Sequence, residues 1–166
     1  DNVRVGEEQV LGGIGRGFAN LMNELPRERL ILAIGAIGAC DGMMDATTLY
    51  VKERKAFGQA ISQFQNTRFK MAELKTQLEV NRAFVDVCSE KYNAGKLSTV
   101  EASMAKLSTT ELQCKVADEC LQLFGGYGYM REYPLARAYV DARIQRIYGG
   151  TSEIMKEIVA RELLGR

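Results

Sequence analysis

Runs of apolar residues at helical spacing, parted by short breaks marked with glycine or proline, constrain this chain most. Pro26 suits the first turn of a helix, and Leu30, Ile31, Ile34, Ile37 and Met44 then recur at helical spacing to about Lys55. A second run spans about Asn66 to Asn93, with Phe69, Leu74, Leu78, Phe84, Val87 and Cys88 inward, and Gly95 ends it. Ser98-Thr99-Val100-Glu101 reads as a capping box that opens a third helix to about Phe124. That helix lays Met104, Leu107, Leu112, Val116, Cys120 and Leu123 along one side, and Gly125-Gly126-Tyr127-Gly128 stops it. Pro134 opens a fourth helix to about Ile147, and a fifth carries Ile154, Ile158, Val159 and Leu163. Few segments read as strands and the connections are short. The pattern predicts an all-α fold, an antiparallel four-helix bundle with an extra C-terminal helix. The apolar stripes are wide, so the helices are expected to pack on more than one side, against further domains or partner subunits.

Composition narrows the chemistry. With 166 residues, 46% of them hydrophobic and 26% charged, the chain can bury a sizeable core. A net charge of +1 argues against nucleic acid as the main partner. No apolar run is read as long enough to span a membrane. Histidine is absent, which excludes Ser-His and Cys-His catalysis within the chain and most zinc sites, so no metal site is expected. Cys40, Cys88, Cys114 and Cys120 show no CxxC spacing and read as buried free thiols of a reducing compartment. Residues 1–17 have little helical character and open on a strand-like phrase, Asn2-Val3-Arg4-Val5; the chain reads as part of a longer protein. Gly12-Gly13-Ile14-Gly15-Arg16-Gly17 lacks the Lys-Ser/Thr of a P-loop and the spacing of a dinucleotide fingerprint, so it reads as a connection.

Three breaks between helices hold the chemistry: Arg54-Lys55-Ala56-Phe57-Gly58 with Phe64-Gln65; Gln122-Leu123-Phe124-Gly125-Gly126-Tyr127-Gly128; and Ile147-Tyr148-Gly149-Gly150-Thr151-Ser152-Glu153. Together they offer an arginine for phosphate, aromatic surface for a ring, amides for polar edges and glycines for close approach. Alone, the last stretch reads first as an ordinary inter-helix turn and second as a ligand loop at a helix N-terminus. Along the first helix Gly35, Gly38, Ala39 and Gly42 leave room for a neighbouring helix or a ligand.

In this order and spacing, these phrases resemble the C-terminal domain of the acyl-CoA dehydrogenases. The resemblance covers nearly the whole chain and is nearest to the long-chain branch, through Glu24-Leu25-Pro26-Arg27-Glu28-Arg29-Leu30 and Tyr148 to Glu157. It implies that residues 1–17 are the tail of a preceding β-domain and residues 18–166 the helical domain. It also implies an FAD enzyme that oxidises an acyl-CoA to the trans-2-enoyl-CoA: a carboxylate takes the α-proton and the β-carbon gives hydride to flavin N5. Such chemistry needs a base held out of bulk water and donors on the thioester oxygen. Implied partners are the acyl-CoA, electron-transfer flavoprotein and further copies of the chain in a homotetramer. The implied compartment is the mitochondrial matrix in a eukaryote or the cytoplasm in a bacterium.

By the same resemblance, Arg54, Phe57, Phe64, Gln65, Gln122, Gly125 and Gly126 match FAD contacts, in part made across a subunit boundary. Thr151 matches a position beside the flavin or its diphosphate. Glu153 stands where many members carry Gln, and Arg29 matches an arginine beside CoA. Gly149 is the departure, because many members place the catalytic Glu there. The long-chain and isovaleryl branches instead carry the base on the first helix of this domain, in a phrase matched by Glu28-Arg29-Leu30. Glu28 is therefore the expected base, with Glu24, read as lying before the helix, the fallback. Gly149 is expected to widen the substrate pocket. The vacancy at Gly149 leaves a second reading open, a non-catalytic module of the same fold for assembly or acyl-CoA binding.

Overall fold

The computed structural model describes residues 1–165. Five helices account for most of them: α1 (Gly17–Glu53), α2 (Gln65–Asn93), α3 (Thr99–Phe124), α4 (Pro134–Gln145) and α5 (Ser152–Leu164). α3 is the central member and packs against each of the other four. Its start is the expected capping box: the Glu101 N–H donates to Ser98 Oγ at 3.1 Å, and the Ser98 N–H donates to Glu101 Oε2 at 3.1 Å. Gly95, with φ +67°, turns the chain after α2, and Pro134 takes the first position of α4.

The first helix departs from expectation. It begins at Gly17, so Pro26 lies inside it and not in its first turn. Proline there removes one main-chain bond, yet the 37-residue helix continues through it and is anchored in the core from Arg29 onward. Glu24 and Glu28 consequently both lie within the helix. α1 is also long and apolar enough to cross a membrane by length and composition, contrary to the reading of the sequence; here it is the core helix of a bundle.

The segment after α1 is more ordered than a simple loop. Arg54 ends the helix, and β1 (Lys55–Ala56) pairs antiparallel with β2 (Gln59–Ala60) in a minimal hairpin. Its turn residues Phe57 and Gly58 both have positive φ, at +51° and +83°. A 3₁₀ turn, Ile61–Gln63, leads into α2. Residues 2–5 form no strand; the stretch before α1 holds one 3₁₀ turn, Glu7–Gln9.

The core gathers Leu30, Ile37, Cys40 and Met44 of α1, Leu74, Leu78 and Cys88 of α2, and Leu112, Val116, Cys120 and Phe124 of α3. Cys40, Cys88 and Cys120 are buried free thiols, and burial pushes the Cys40 thiol up to about 12. Several residues read as inward are exposed, among them Ile31, Ile34, Phe69, Val87, Met104, Ile154 and Leu163. They form second apolar faces, as the width of the stripes implied. Periodicity finds an apolar face; it does not say which neighbour covers it.

Candidate functional site

The expected site residues fall into two groups at opposite ends of α1. Arg29 and Arg54 lie about seven helical turns, or roughly 38 Å, apart on that helix.

The first group surrounds the ends of α1 and α3. A groove of about 620 Å³ is lined by Tyr50, Arg54, Gln122, Gly125, Gly126 and Tyr127, among others. Tyr50 stacks on Phe124 with centroids 4.0 Å apart and donates its hydroxyl to the Phe124 carbonyl at 3.2 Å, which fixes the groove floor. Burial raises the Tyr50 phenol pKa, and Arg54 works against that. The Arg54 guanidinium lies over the Tyr127 ring, 5.6 Å from its centroid. A Cβ added at Gly125 or Gly126 would meet nothing within 4 Å, so the glycines leave open space.

The hairpin carries Phe57 at its tip, 96% exposed and edge-on to Phe64 at 6.3 Å. A phenylalanine at positive φ is strained, and such strain gathers at functional sites. Gln65 opens α2 nearby and is exposed. An arginine, two amides, an exposed aromatic face and an unfilled glycine cradle together fit the diphosphate and ring edges of a dinucleotide such as FAD.

The second group surrounds the turn between α4 and α5. Gly149 and Gly150 have φ of +65° and +104°. A Cβ at Gly149 would lie 2.5 Å from Leu32 Cδ1, so the missing side chain lets α1 come close. Arg29 is buried and donates from Nε to the Gly149 carbonyl at 3.3 Å and from Nη1 to Ser103 Oγ at 3.2 Å. Burial pulls the Arg29 pKa down, and the adjacent Glu28 charge pushes it back. Thr151 caps α5, its hydroxyl oxygen accepting from the Ile154 N–H at 3.3 Å. Glu153 is exposed, and its own N–H and the Thr151 hydroxyl hold its carboxyl below the usual range.

Glu28 lies one residue before Arg29 and is exposed. It lines a groove of about 700 Å³ with Asn20, Asn23, Glu24, Arg27 and Ile31. Glu24 pairs with Arg27 at 3.4 Å, whereas no ion pair among the described residues includes Glu28.

The sequence reading missed the polar supports of the second group. Lys106 of α3 is completely buried and donates to the Gly150 carbonyl at 2.7 Å. Glu111 accepts from Arg146 Nε at 2.8 Å and from Ser152 Oγ at 2.6 Å. The available signal was a lysine four positions after Ala102 and ten before Val116, at the helical spacing of residues the core holds.

These features define an all-helical domain with a candidate dinucleotide groove, and comparison with known proteins gives its family. The family model for the C-terminal domain of acyl-CoA dehydrogenases matches residues 15–164, and the chain belongs to that family. It is 52% identical over 99% of its length to the mitochondrial long-chain specific acyl-CoA dehydrogenase of Mus musculus, covering 38% of that protein. An acyl-CoA dehydrogenase structure from Geobacillus kaustophilus superposes with a TM-score of 0.95 at 46% identity, over 99% of this chain and 43% of that one. A Mycobacterium smegmatis glutaryl-CoA dehydrogenase solved in complex with FADH2 superposes at 0.83 and 26% identity, over 86% of this chain and 37% of that one. The chain thus spans about two fifths of the length of the relatives it matches.

Proposed function

We propose that the chain is the C-terminal domain of an FAD-dependent acyl-CoA dehydrogenase of the long-chain type, with Glu28 as the base that removes the α-proton. The observation that carries this reading is the link from Glu28 through Arg29 to Gly149. The turn at Gly149 has no side chain to take a proton, yet Arg29 is bonded to its carbonyl, and the carboxylate of Glu28, in no ion pair among the described residues, stands next to Arg29 on α1. When bound, FAD supplies the hydride acceptor.

Arg54 would hold the FAD diphosphate, Phe57 and Phe64 would cover part of the adenosine, and Gln65, Gln122, Gly125 and Gly126 would meet its polar edges. Thr151 and Glu153 would lie beside the flavin of a different copy, since the two groups are too far apart on α1 for one cofactor to touch both. That distance supports a shared site in a homo-oligomer, proposed as a tetramer. Arg29 acts in this reading through the turn more than by direct contact with CoA, because it is buried and engaged. The exposed apolar faces of α1 and α2 would meet a preceding helical domain and a β-domain, with residues 1–17 as the connection. Electron-transfer flavoprotein is the proposed electron acceptor, and the mitochondrial matrix or a bacterial cytoplasm the proposed compartment.

Anaerobic titration of the FAD-loaded intact protein with acyl-CoAs of different chain length tests the reading. Bleaching of the flavin band is expected. An intact protein that binds acyl-CoA without bleaching would instead support a non-catalytic module, for which the vacancy at Gly149 is the one favouring observation.

A further inference from the structure

Two buried cations point at consecutive carbonyls of the Gly149–Gly150 turn. Arg29 reaches the Gly149 oxygen from α1, and Lys106 reaches the Gly150 oxygen from α3. Arg29 is 4% exposed and Lys106 0%, and neither belongs to an ion pair among the described residues. The acid near them, Glu111, is taken up by Arg146 and Ser152. Burying two ammonium-type charges without a carboxylate is costly, and a neutral side chain could satisfy either carbonyl. The arrangement therefore calls for a reason beyond packing.

Peptide geometry supplies one. Every peptide bond among the described residues is trans, and in a trans peptide the carbonyl and the following N–H point in opposite directions. With both carbonyls held by the cations, the N–H groups of Gly150 and Thr151 face away from them. Neither N–H donates a hydrogen bond among the described residues. The turn thus keeps two N–H donors without a partner among the described residues, each opposed to a carbonyl that a buried cation holds.

We propose that Arg29 and Lys106 are a positioning pair for the acyl-CoA site: they lock the Gly149–Thr151 backbone with its N–H edge outward, and their positive charge favours the anion that develops when the substrate loses its α-proton. This inference rests on the function proposed above. The other charged groups facing this region are Glu28 on α1, Glu111 on α3, Arg146 in the turn and Glu153 on α5. Lys106 enters no bond-making step; it acts through the turn and through its field.

The test uses the intact FAD-loaded protein and a Lys106→Met variant, which keeps the side chain out to Cε and removes the ammonium group, with both its charge and its bond to the Gly150 carbonyl. Two quantities are read: the rate of flavin reduction against acyl-CoA concentration, and the pH at which a bound, non-oxidisable 3-thiaacyl-CoA loses its α-proton, seen as a long-wavelength charge-transfer band. The expected result is a fall of about ten-fold or more in the saturated rate, little change in KM, and deprotonation displaced to higher pH. A saturated rate and a deprotonation pH both equal to the parent's would overturn the proposal. Should Lys106→Met not fold or not retain FAD, Ser103→Ala decides, because it removes only the second anchor of Arg29. A smaller fall with the same upward displacement supports the pair, and parent-like values overturn it. A parent protein that acyl-CoA does not reduce contradicts the proposed function and this inference with it, whereas a reducible parent matched by its variants contradicts this inference alone.

Discussion

Arg29 Nε donates to the Gly149 carbonyl across 3.3 Å, joining positions 120 residues apart in sequence. The bond ties α1, which carries Glu28, to the glycine turn that leads into α5. Leu32, one helical turn beyond Glu28, fills the space that a side chain at Gly149 would need. The residues on α1 and the glycine in the turn are therefore one structural arrangement.

That arrangement predicts the cost of refilling the turn. Gly149→Ala places a Cβ at φ +65° and against Leu32. Left-handed backbone alone costs an L-residue about 1–2 kcal/mol. Denaturant unfolding of the intact protein should show a loss larger than that backbone cost, and trimming Leu32 to Ala in the same protein should recover the steric part but not the backbone part. Gly149→Glu in a Glu28→Gln background should regain some turnover only when Leu32 is also trimmed.

Phe57 predicts the opposite trade. Its φ of +51° suits Asn in this two-residue hairpin turn better than an aromatic. Phe57→Asn should stabilise the fold by up to about 1 kcal/mol, read as a higher denaturant midpoint. It should also weaken FAD retention, measured by cofactor release on dilution. Tighter retention would remove Phe57 from the cofactor surface.

Glu101 sets a pH dependence. Its contact with the Lys91 ammonium, then the N–H and hydroxyl of Ser98, hold its carboxyl down at about 2, from an ordinary 4.5. A lowered folded-state value stabilises above the unfolded value, and that contribution is lost as pH falls. The stability difference between the parent and Glu101→Gln should therefore be full above pH 4.5 and shrink between about pH 4.5 and 2. Lys91 is 44% exposed, so screening limits the difference to about 1 kcal/mol or less. Urea unfolding at pH 7, 5 and 3 measures it, and a difference that grew on acidification would contradict the assignment.

These positions also show what could be read from sequence. The Ser98–Glu101 cap was legible because both partners lie within one helical turn. Pro26 misled because proline is commonest in first turns, whereas α1 starts nine residues earlier, at Gly17, in a stretch with no buried apolar stripe to mark it. The Phe57–Gly58 hairpin shows in the sequence only as a break between helices, because its two-residue strands are too short to show alternation. The two groups of candidate site residues followed from motif order. Lys106 did not, because its role depends on a carbonyl 44 residues away, and a lone lysine on a helix is usually a solvated one. Exposed Ile31 and Phe69 carried the same periodicity as buried Leu30 and Leu74, so only the fold could tell the two faces apart.

The most direct test of the account is anaerobic mixing of a long-chain acyl-CoA with the intact FAD-loaded protein and with Glu28→Gln. The parent flavin should bleach, and the variant, still yellow and still binding acyl-CoA, should bleach at least about a thousand-fold more slowly, as expected when a proton-abstracting base is removed. A Glu28→Gln protein that bleaches at the parent rate would contradict the assignment of Glu28 as the base.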